Sequence, residues 1–400
     1  MRLAFSFSKK FKVIGFETNK EKVVKLNNGE IYIKSLEKKK INHDNFKITY
    51  NFNNIKRCNF IIICFPTPSK PDKTPDLSFV KESARLIGKN LKKNQFVILE
   101  STTYPGTTKE ILIPILEEEN GLKIGKDFGI AYSPERVDPG NKKFGIENTP
   151  KVVGSINSEF CETAAFLYGP IVKRIVKVSN CETAEAVKML ENVFRNVDIA
   201  LINELAIIFE KMEINIWETI EASKTKPYEF MPFYPGPGVG GHCIPLDSYY
   251  ISYRAKQFGL IPRFIKTVGE INDFMTIHMI NLAEKGLKKI NKILKNSKIA
   301  ILELAYKPDI DDTRKSPAIR IIEELIERNT EIKVYDPHVK SVRTNFGEFY
   351  SEENIEGILK WAEYIIFVTS YSVFKENIGK YLTILDNKTK ETIIINGVNI

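Results

Sequence analysis

Residues 182–212 read ETAEAVKMLENVFRNVDIALINELAIIFEKM, a stretch that contains neither proline nor glycine. Its apolar residues recur with the spacing of an amphipathic helix, so the stretch predicts one long helix. The chain before it and the chain from residue 297 onward have a different pattern, in which apolar runs and helical stretches alternate. We therefore expect an α/β protein in which a helical connector separates two α/β parts.

The part before the long helix alternates short apolar runs with amphipathic stretches. The runs at residues 11–17, 59–65 and 95–101 are typical of buried strands. Residues 76–91 have helical periodicity, and Asp76 is the predicted N-cap. Strands that alternate with helices predict a parallel, doubly wound sheet.

The part after the long helix begins with a loop rich in helix breakers. Residues 224–247 contain nine prolines and glycines. Helical periodicity resumes near Ser248 and continues to about Leu294, with a break around residues 259–262. A second, smaller α/β unit follows, with a helix predicted at residues 317–328 and strands at residues 298–304, 332–335, 364–369 and 392–395.

Composition excludes several classes of protein. The 43% hydrophobic content of 400 residues is enough for two or three packed domains, and no apolar run is long enough for a bilayer span. The first 17 residues lack the features of a signal peptide, so we expect a soluble cytoplasmic protein. The net charge of +9 favours anionic ligands or reflects lysines on solvated helix faces. The sequence shows no basic stripe interleaved with aromatic residues, so nucleic acid is not an expected partner.

The five cysteines and four histidines are scattered without CxxC or HExxH spacing. This excludes a disulfide framework and predicts no metal site. Cys243 differs from the other cysteines because it lies in GVGGHCIPLD, residues 238–247. Glycines permit close backbone approach to a ligand and prolines stiffen the loop, which favours a positioned nucleophilic thiolate over a buried, inert thiol. The GPGVGG run at residues 236–241 is not a dinucleotide fingerprint, because no strand precedes it.

At this loop the sequence resembles the UDP-glucose/GDP-mannose dehydrogenase family, most closely its UDP-N-acetylglucosamine 6-dehydrogenase branch. The likeness extends from residue 1 to about residue 395. The motifs that carry it follow one another in the family's order. They are PTP (66–68), ST (101–102), PGTT (105–108), YSPER (132–136), KMLEN (188–192), NE (203–204), KTKP (224–227), FMPFYPGPG (230–238), GGHCIP (240–245) and YKPDIDDTR (306–314).

The resemblance implies oxidation of a sugar C6 alcohol to a carboxylate by two NAD⁺, while the aldehyde stays bound. Cys243 would attack the aldehyde as a thiolate, and the resulting thiohemiacetal would be oxidised to a thioester that water hydrolyses. Lys188 would stabilise the developing alkoxide, and Asn192, one helical turn later, would donate to the same oxygen. An ordinary exposed Lys188–Asn192 pair is the alternative.

The resemblance assigns proton transfer and the hydrolytic water to Asp247, Glu135 and Thr102. The alternative for Asp247 is to cap the helix that the pattern starts near Ser248. The alternative for Glu135 is a surface carboxylate.

The resemblance also implies binding residues. Glu17 would hydrogen-bond the adenine ribose of NAD, Thr67 and Thr102 would contact the nicotinamide side, and Arg314 would meet the cofactor pyrophosphate. For each charged residue, a solvated side chain is the alternative.

The UDP-sugar would be bound by Tyr234 and Gly240 of the loop and by Arg263 and Lys307, with Arg263 reaching across a homodimer. The expected organisation is two Rossmann-like domains joined by a long-helix dimerisation region. Residues 1–172 would bind NAD, residues 173–294 would form the central region, and residues 295–400 would bind the UDP-sugar.

Three departures from the family pattern stand out. The family opens with a strand and a glycine-rich turn, whereas this chain opens with MRLAFSFSKK, which is typical of the helix that follows that turn. The first domain is therefore expected to be truncated at its N-terminus, through a late start-codon assignment, gene decay or a truncated paralogue. Glu303 stands where the family usually has glycine and is expected to crowd UDP. The final strand ends in Asn396-Gly-Val-Asn399, where the family tends to have Asp and Arg.

The expected activity is an NAD-dependent UDP-N-acetylhexosamine 6-dehydrogenase that makes a uronic acid for surface polysaccharide, with UDP-N-acetylglucosamine as the preferred substrate. UDP-glucose, UDP-N-acetylmannosamine and UDP-N-acetylgalactosamine are alternative substrates. An inactive, UDP-sugar-binding remnant is the alternative from another class.

Overall fold

The computed structural model describes residues 1–30, 45–70, 72–138, 141, 143–241, 244–386 and 392–397 of the chain. The chain forms two compact units, Met1–Leu190 and Glu191–Ile400, and the long helix runs across their boundary. Within the described ranges, no helix is both long enough and apolar enough to cross a lipid bilayer.

The first unit alternates strands and helices, as its sequence pattern predicts. Its helices are α1 (Arg2–Ser8), α2 (Lys20–Asn27), α3 (Ser78–Gly88), α4 (Ile113–Asn120), α5 (Ser158–Tyr168) and the first part of α6 (Cys181–Lys211). Its strands are β1 (Val13–Phe16), β2 (Phe46–Thr49), β3 (Phe60–Ile63), β4 (Gln95–Leu99), β5 (Phe128–Tyr132), β6 (Lys151–Ser155) and β7 (Ile175–Val178). Short turns of 3-10 and π helix occur at Phe52–Arg57 and Thr108–Leu112.

The three strands and the helix predicted here are confirmed in shorter form as β1, β3, β4 and α3. Their predicted burial is confirmed throughout β4 alone, because β3 alternates and all four residues of β1 are partly exposed. The helical prediction for the first ten residues is confirmed by α1. The N-cap prediction for Asp76 is wrong by one position, since Leu77 occupies the cap and the Asp76 side chain accepts from the Ser78 N–H at 2.9 Å.

The described strands of the first unit form two sheets. One pairs β1 with β2 in parallel, and the other has the order β3-β4-β5-β6-β7. Neighbouring strands of the larger sheet are parallel except β5 and β6, which are antiparallel. The predicted parallel sheet therefore forms with one antiparallel pair, β5 and β6. The carboxyl ends of β3, β4 and β5 lie along one edge, and the loops that follow them carry predicted site residues.

Helix α6 confirms the predicted long helix to within one residue at each end. The Asn180 side chain caps its start by accepting from the Thr183 N–H at 2.7 Å. The buried side of α6 is partly polar. At the spacing of one helical face it carries Glu185, Lys188, Asn192, Asn196 and Asn203, all less than 9% exposed.

The second unit begins with helices and ends with a smaller sheet. Beyond α6 its helices are α7 (Ile216–Ser223), α8 (Ile244–Gln257), α9 (Arg263–Lys289), α10 (Pro317–Glu327), α11 (Ile355–Trp361) and α12 (Ser372–Asp386). Its strands are β8 (Lys298–Leu302), β9 (Glu331–Tyr335), β10 (Ser341–Thr344), β11 (Gly347–Tyr350), β12 (Tyr364–Phe367) and β13 (Ile393–Asn396).

The larger sheet of the second unit is parallel, with the order β13-β12-β8-β9, and β10 and β11 form an antiparallel hairpin. The four strands of the larger sheet match the four predicted strands closely. The predicted helix break is confirmed between α8 and α9. The predicted helix start near Ser248 is wrong, because α8 begins four residues earlier at Ile244 and accommodates Pro245 in its first turn.

Candidate active site

Two threonines predicted to face the cofactor come together at the carboxyl edge of the larger sheet of the first unit. Thr67 follows β3 and Thr102 follows β4. The Thr67 hydroxyl donates to the Thr102 carbonyl oxygen at 2.6 Å. This hydrogen bond joins the two loops that leave neighbouring strands, so it holds the loops together at the edge of the sheet.

Glu17 lies directly after β1, at the strand end where the sequence predicted it. Its carboxylate accepts from the Asn19 N–H at 3.0 Å and from the Thr18 hydroxyl at 3.4 Å. These bonds hold the carboxylate at the strand end and leave it half-exposed and able to accept from a diol.

Glu135 follows β5, and its carboxylate accepts from the Val137 N–H at 2.6 Å. The loop before it is held by a buried ion pair that sequence reasoning missed. The Lys151 ammonium lies 2.8 Å from the Glu100 carboxylate and donates to the Pro134 carbonyl at 3.2 Å. The Tyr168 hydroxyl donates to the same carboxylate at 2.5 Å.

A second buried carboxylate, Glu185 on α6, was also missed. It accepts from the Gly106 N–H at 2.6 Å, from the Thr108 N–H at 2.8 Å and from the Thr108 hydroxyl at 2.7 Å. Glu185 is 0% exposed, and burial raises the pKa of its carboxyl to about 7 despite these hydrogen bonds. The bonds clamp the loop that contains Thr102 to the helix that carries Lys188.

Lys188 lies three residues after Glu185, on the same face of α6. Its side chain is buried and forms no ion pair with any carboxylate in the described part of the chain. The alternative of an exposed lysine is therefore wrong. A buried ammonium of this kind is suited to an anion or a developing alkoxide.

In the second unit, Asn192 and Asp247 are in direct contact, 55 positions apart in sequence. The Asn192 amide donates to the Asp247 carboxylate, and the Arg195 guanidinium donates to the Asn192 side-chain oxygen. Asp247 is the fourth residue of α8 and is buried, so the alternative that it is the N-cap of that helix is wrong. An exposed Asn192 is likewise excluded, because the residue is 0% exposed.

The loop before α8 packs tightly where its glycines lie. A Cβ added to Gly240 would lie 2.6 Å from the Tyr306 Cβ and 2.9 Å from the Lys315 carbonyl oxygen. Gly241 has a φ of +83°, and its N–H donates to the Arg314 carbonyl at 3.1 Å. The loop therefore needs glycine at these two positions. Cys243, the predicted nucleophile, lies outside the described residues.

The remaining predicted binding residues take different positions in the second unit. Tyr234 donates to the Glu221 carboxylate at 2.6 Å and stacks on Trp217. Lys307 is half-buried beyond the end of β8, and Arg263 is exposed as the first residue of α9. The Arg314 guanidinium forms a bidentate ion pair with Asp312, at 2.6 Å for the shorter contact. Because Asp312 offsets part of its positive charge, Arg314 attracts a pyrophosphate less strongly than an arginine without this ion pair would.

Glu303, the departure at the end of β8, adopts a φ of +71°, which explains why glycine suits this position. Its carboxylate turns into the protein, where it accepts from the Thr369 N–H at 2.7 Å and from the Tyr371 N–H at 2.8 Å. Burial, together with the negative charge of Asp336, raises the pKa of this carboxyl to about 8. Each of its two carboxylate oxygens thus accepts from one backbone N–H group.

Comparison with known families gives three matches in chain order. They are the NAD binding domain of the UDP-glucose/GDP-mannose dehydrogenase family over residues 2–172, its central domain over residues 182–274 and its UDP binding domain over residues 300–400.

Similar proteins span most of the chain. Protein CapL of Staphylococcus aureus is 36% identical over 385 residues, which are 96% of this chain and 90% of CapL. A UDP-N-acetyl-D-glucosamine 6-dehydrogenase of Pseudomonas aeruginosa is 37% identical over 85% of this chain and 80% of its own length.

A solved structure of a UDP-D-ManNAc dehydrogenase from Pyrococcus horikoshii has a TM-score of 0.90 and 32% sequence identity, and the match covers 100% of this chain and 93% of that one. Family domains match in order along the chain, relatives span most of it, and the fold is shared. The chain therefore belongs to the UDP-glucose/GDP-mannose dehydrogenase family and is an NAD-dependent oxidoreductase that acts on a UDP-sugar.

Proposed function

We propose that the protein oxidises the C6 hydroxyl of a UDP-N-acetylhexosamine to the carboxylate, with UDP-N-acetylglucosamine as the preferred substrate. The observation that carries the proposal is the buried Asn192–Asp247 hydrogen bond. It links α6, which also carries Lys188, to the first turn of α8, and α8 begins directly after Cys243. An amide, a carboxylate, an ammonium and a thiol are the groups that oxidation through a covalent intermediate requires.

The first unit offers groups that fit NAD. Glu17 ends β1 with an acceptor for the adenine ribose, and the linked Thr67 and Thr102 end β3 and β4, where ligands of parallel sheets bind. Arg314 would contact the pyrophosphate with a charge reduced by Asp312. When bound, NAD⁺ would supply the hydride acceptor for both oxidations at C6.

The residues of the chain carry the rest of the reaction. A base removes the proton of the C6 hydroxyl as the first hydride leaves, which gives the aldehyde. The Cys243 thiolate adds to the aldehyde carbon, and loss of a second hydride from the adduct leaves a thioester. Water cleaves the C–S bond of the thioester, releasing the carboxylate and the thiol. Lys188 and Asn192 would stabilise the oxyanions, while Asp247, Glu135 and Thr102 would orient water and move protons.

Substrate binding is assigned to the second unit. Tyr234 and Gly240 belong to the loop before Cys243, while Lys307 and the exposed Arg263 supply positive charge for the diphosphate. Arg263 would act across a homodimer. Exposed apolar side chains on α6, directly after it and around the start of α9 support such an interface, among them Phe194, Leu201, Met212, Ile261 and Phe264.

We assign NAD binding to residues 1–172, the central dimerisation region to residues 173–294 and UDP-sugar binding to residues 295–400. We further propose that the enzyme works in the cytoplasm and supplies a uronic acid for surface polysaccharide. Relatives that carry the names UDP-N-acetyl-D-glucosamine 6-dehydrogenase and UDP-N-acetyl-D-mannosamine dehydrogenase support an N-acetylhexosamine. The mannosamine sugar is the second candidate, because the dehydrogenase from Pyrococcus horikoshii matches 98% of this chain.

The test is to incubate the 400-residue protein with NAD⁺ and each of four UDP-sugars, and to measure NADH and the uronic acid. We expect two NADH per sugar, with the highest kcat/KM for UDP-N-acetylglucosamine. A higher kcat/KM for the mannosamine, galactosamine or glucose sugar would reassign the substrate. Failure to bind NAD⁺ would instead favour the inactive, UDP-sugar-binding remnant.

The covalent route is tested by Cys243→Ser. We expect this variant to lose uronic acid formation while it still binds the UDP-sugar. Uronic acid formation at the parental rate would refute the role of Cys243.

A further inference from the structure

Three asparagines of the second unit form a buried relay that the proposed reaction does not use. Asn203 on α6 begins it. Its side-chain oxygen accepts from the Gly236 N–H at 3.0 Å, and its amide donates to the Asn272 side-chain oxygen at 2.9 Å. Asn203 is 0% exposed, so both of its polar ends are satisfied inside the protein.

Asn272, on α9, continues the relay in the same direction. Its amide donates to the Asn196 side-chain oxygen at 2.9 Å and to the Asn196 carbonyl oxygen at 3.1 Å. The Asn196 amide in turn donates to the Ser248 hydroxyl at 3.0 Å. Asn196 and Asn272 are each 4% exposed, and Ser248 is 2% exposed.

In sequence, the two ends of the relay contact residues that precede and follow Cys243. Gly236 belongs to the Pro/Gly segment before it, and Ser248 follows Asp247 in the first turn of α8. Thr276, one turn after Asn272 on α9, adds a third attachment by donating to the Pro237 carbonyl at 3.0 Å. The segment between Gly236 and Ser248 is thus held at both ends by α6 and α9.

We infer that Asn203 and Asn272 are positioning residues, which hold the described segments 236–241 and 244–248 in the arrangement that catalysis requires. An amide suits each link because it accepts at one end and donates at the other, whereas a carboxylate only accepts and an alkyl group does neither. Loss of one link leaves buried donors and acceptors unpaired, so the remaining links weaken as well. The inference rests on the proposed function, because it gives this loop its catalytic role.

The test compares Asn203→Ala, Asn272→Ala and the double variant with two controls in the full-length protein. Asn281→Ala removes an exposed asparagine from the same helix as Asn272, and Ile322→Ala removes a fully buried side chain from α10. Hydrogen exchange in the peptide that contains residues 236–241 is measured by mass spectrometry, together with kcat and the KM for NAD⁺.

We expect each asparagine variant to speed exchange in this peptide and to lower kcat by about tenfold or more, which corresponds to the loss of one buried hydrogen bond. The KM for NAD⁺ should change less than about twofold, since kcat alone reports an arrangement required in the transition state. The double variant should be as active as the less active of the two single variants, because both changes break the same relay.

Asn203→Ser supplies a neutral probe, because its shorter hydroxyl can keep one of the two links without burying a charge beside the Asn272 side-chain oxygen. We expect its exchange and kcat to lie between those of the parent and Asn203→Ala. The inference is overturned if exchange in residues 236–241 is the same in Asn203→Ala and the parent, or if Ile322→Ala lowers kcat equally. Hydrogen exchange does not depend on activity. The exchange measurement therefore tests the inference even if the Cys243→Ser variant refutes the covalent route.

Discussion

At the scale of single residues, two carboxylates stand out because the protein buries them against backbone N–H groups. Glu185 receives donors from the loop around Gly106, and Glu303 receives donors from the segment that follows β12. Backbone donors stabilise the ionised carboxylate, but burial costs more, so the pKa of each carboxyl is raised. Neither residue was predicted to matter in this way, because nothing adjacent to it in sequence shows its donors.

The raised pKa of Glu185 makes stability depend on pH. The carboxyl has a pKa of about 7 when folded and about 4.5 when unfolded, so the folded state binds the proton more tightly. Its contribution is complete below about pH 4.5 and is lost as the pH rises through 7, up to about 3 kcal/mol. We expect urea unfolding to show part of this loss between pH 5 and pH 8, and Glu185→Gln to make that pH dependence shallower. An identical pH dependence in parent and variant would contradict the assignment.

Gly240 gives a second prediction at this scale. In Gly240→Ala the new Cβ would lie 2.6 Å from the Tyr306 Cβ, closer than carbon atoms approach, so the loop must move. We expect kcat to fall by about tenfold or more, as for a displaced catalytic group. Gly236→Ala is the matched control, because no atom lies within 4 Å of its added Cβ. Equal activity in the two variants would show that the close packing of the loop has no catalytic consequence.

At the scale of elements, buried polar contacts tie strands and helices together. The Glu100–Lys151 ion pair joins the end of β4 to the start of β6, and the Tyr168 hydroxyl adds α5 to the same carboxylate. Helix α6 has a similar role, because its Glu185 carboxylate accepts from the loop around Gly106 and its Asn192 amide donates to Asp247 of α8. The contacts of Glu100 and Glu185 hold the loops at the edge of the larger sheet of the first unit, whose interior is apolar.

The Glu100–Lys151 pair is tested by Lys151→Met. Both side chains are less than 9% exposed, so removal of the lysine leaves the buried carboxylate with the Tyr168 hydroxyl but without a counter-charge, which costs about 3–5 kcal/mol. Denaturant unfolding should show this loss. Lys177→Met is the control, because the Lys177–Glu162 pair is exposed and its loss should change stability little. Equal destabilisation by the two substitutions would contradict the special role of the buried pair.

At the scale of the whole molecule, the proposed homodimer depends on exposed apolar side chains around the start of α9. Ile261 and Phe264 are 74% and 66% exposed, a high fraction for large apolar side chains close together in sequence. In the double variant Ile261→Asp/Phe264→Asp, two desolvated charges would oppose association. We expect sedimentation velocity to show a shift from dimer towards monomer at equal concentration.

The control for the dimer prediction is Phe166→Asp, which changes an apolar side chain of the first unit that is 76% exposed. We expect it to leave the sedimentation coefficient unchanged. A parent that sediments as a monomer would refute the dimer, and dissociation by Phe166→Asp alone would move the interface to the first unit.

Much of the molecule could be predicted from the order of its residues. The long helix, the break between α8 and α9 and strands in both α/β parts follow from local periodicity, since the burial of one face repeats every 3.6 or 2 residues. The antiparallel pairing of β5 with β6 could not be predicted in this way, because strand direction leaves no mark on the burial pattern. The start of α8 was placed too late because Pro245 interrupts the pattern but is tolerated in a first helical turn.

The sequence by itself determined the alternation of elements, the family and the residue types at the site, because these depend on local patterns and short motifs. Only the tertiary structure decided which polar groups meet. Asn203 bonds to Asn272 across 69 positions, Glu185 to Gly106 across 79 and Asn192 to Asp247 across 55. Such pairs form because buried donors and acceptors must be satisfied by whatever packing brings beside them, and packing depends on the whole chain at once.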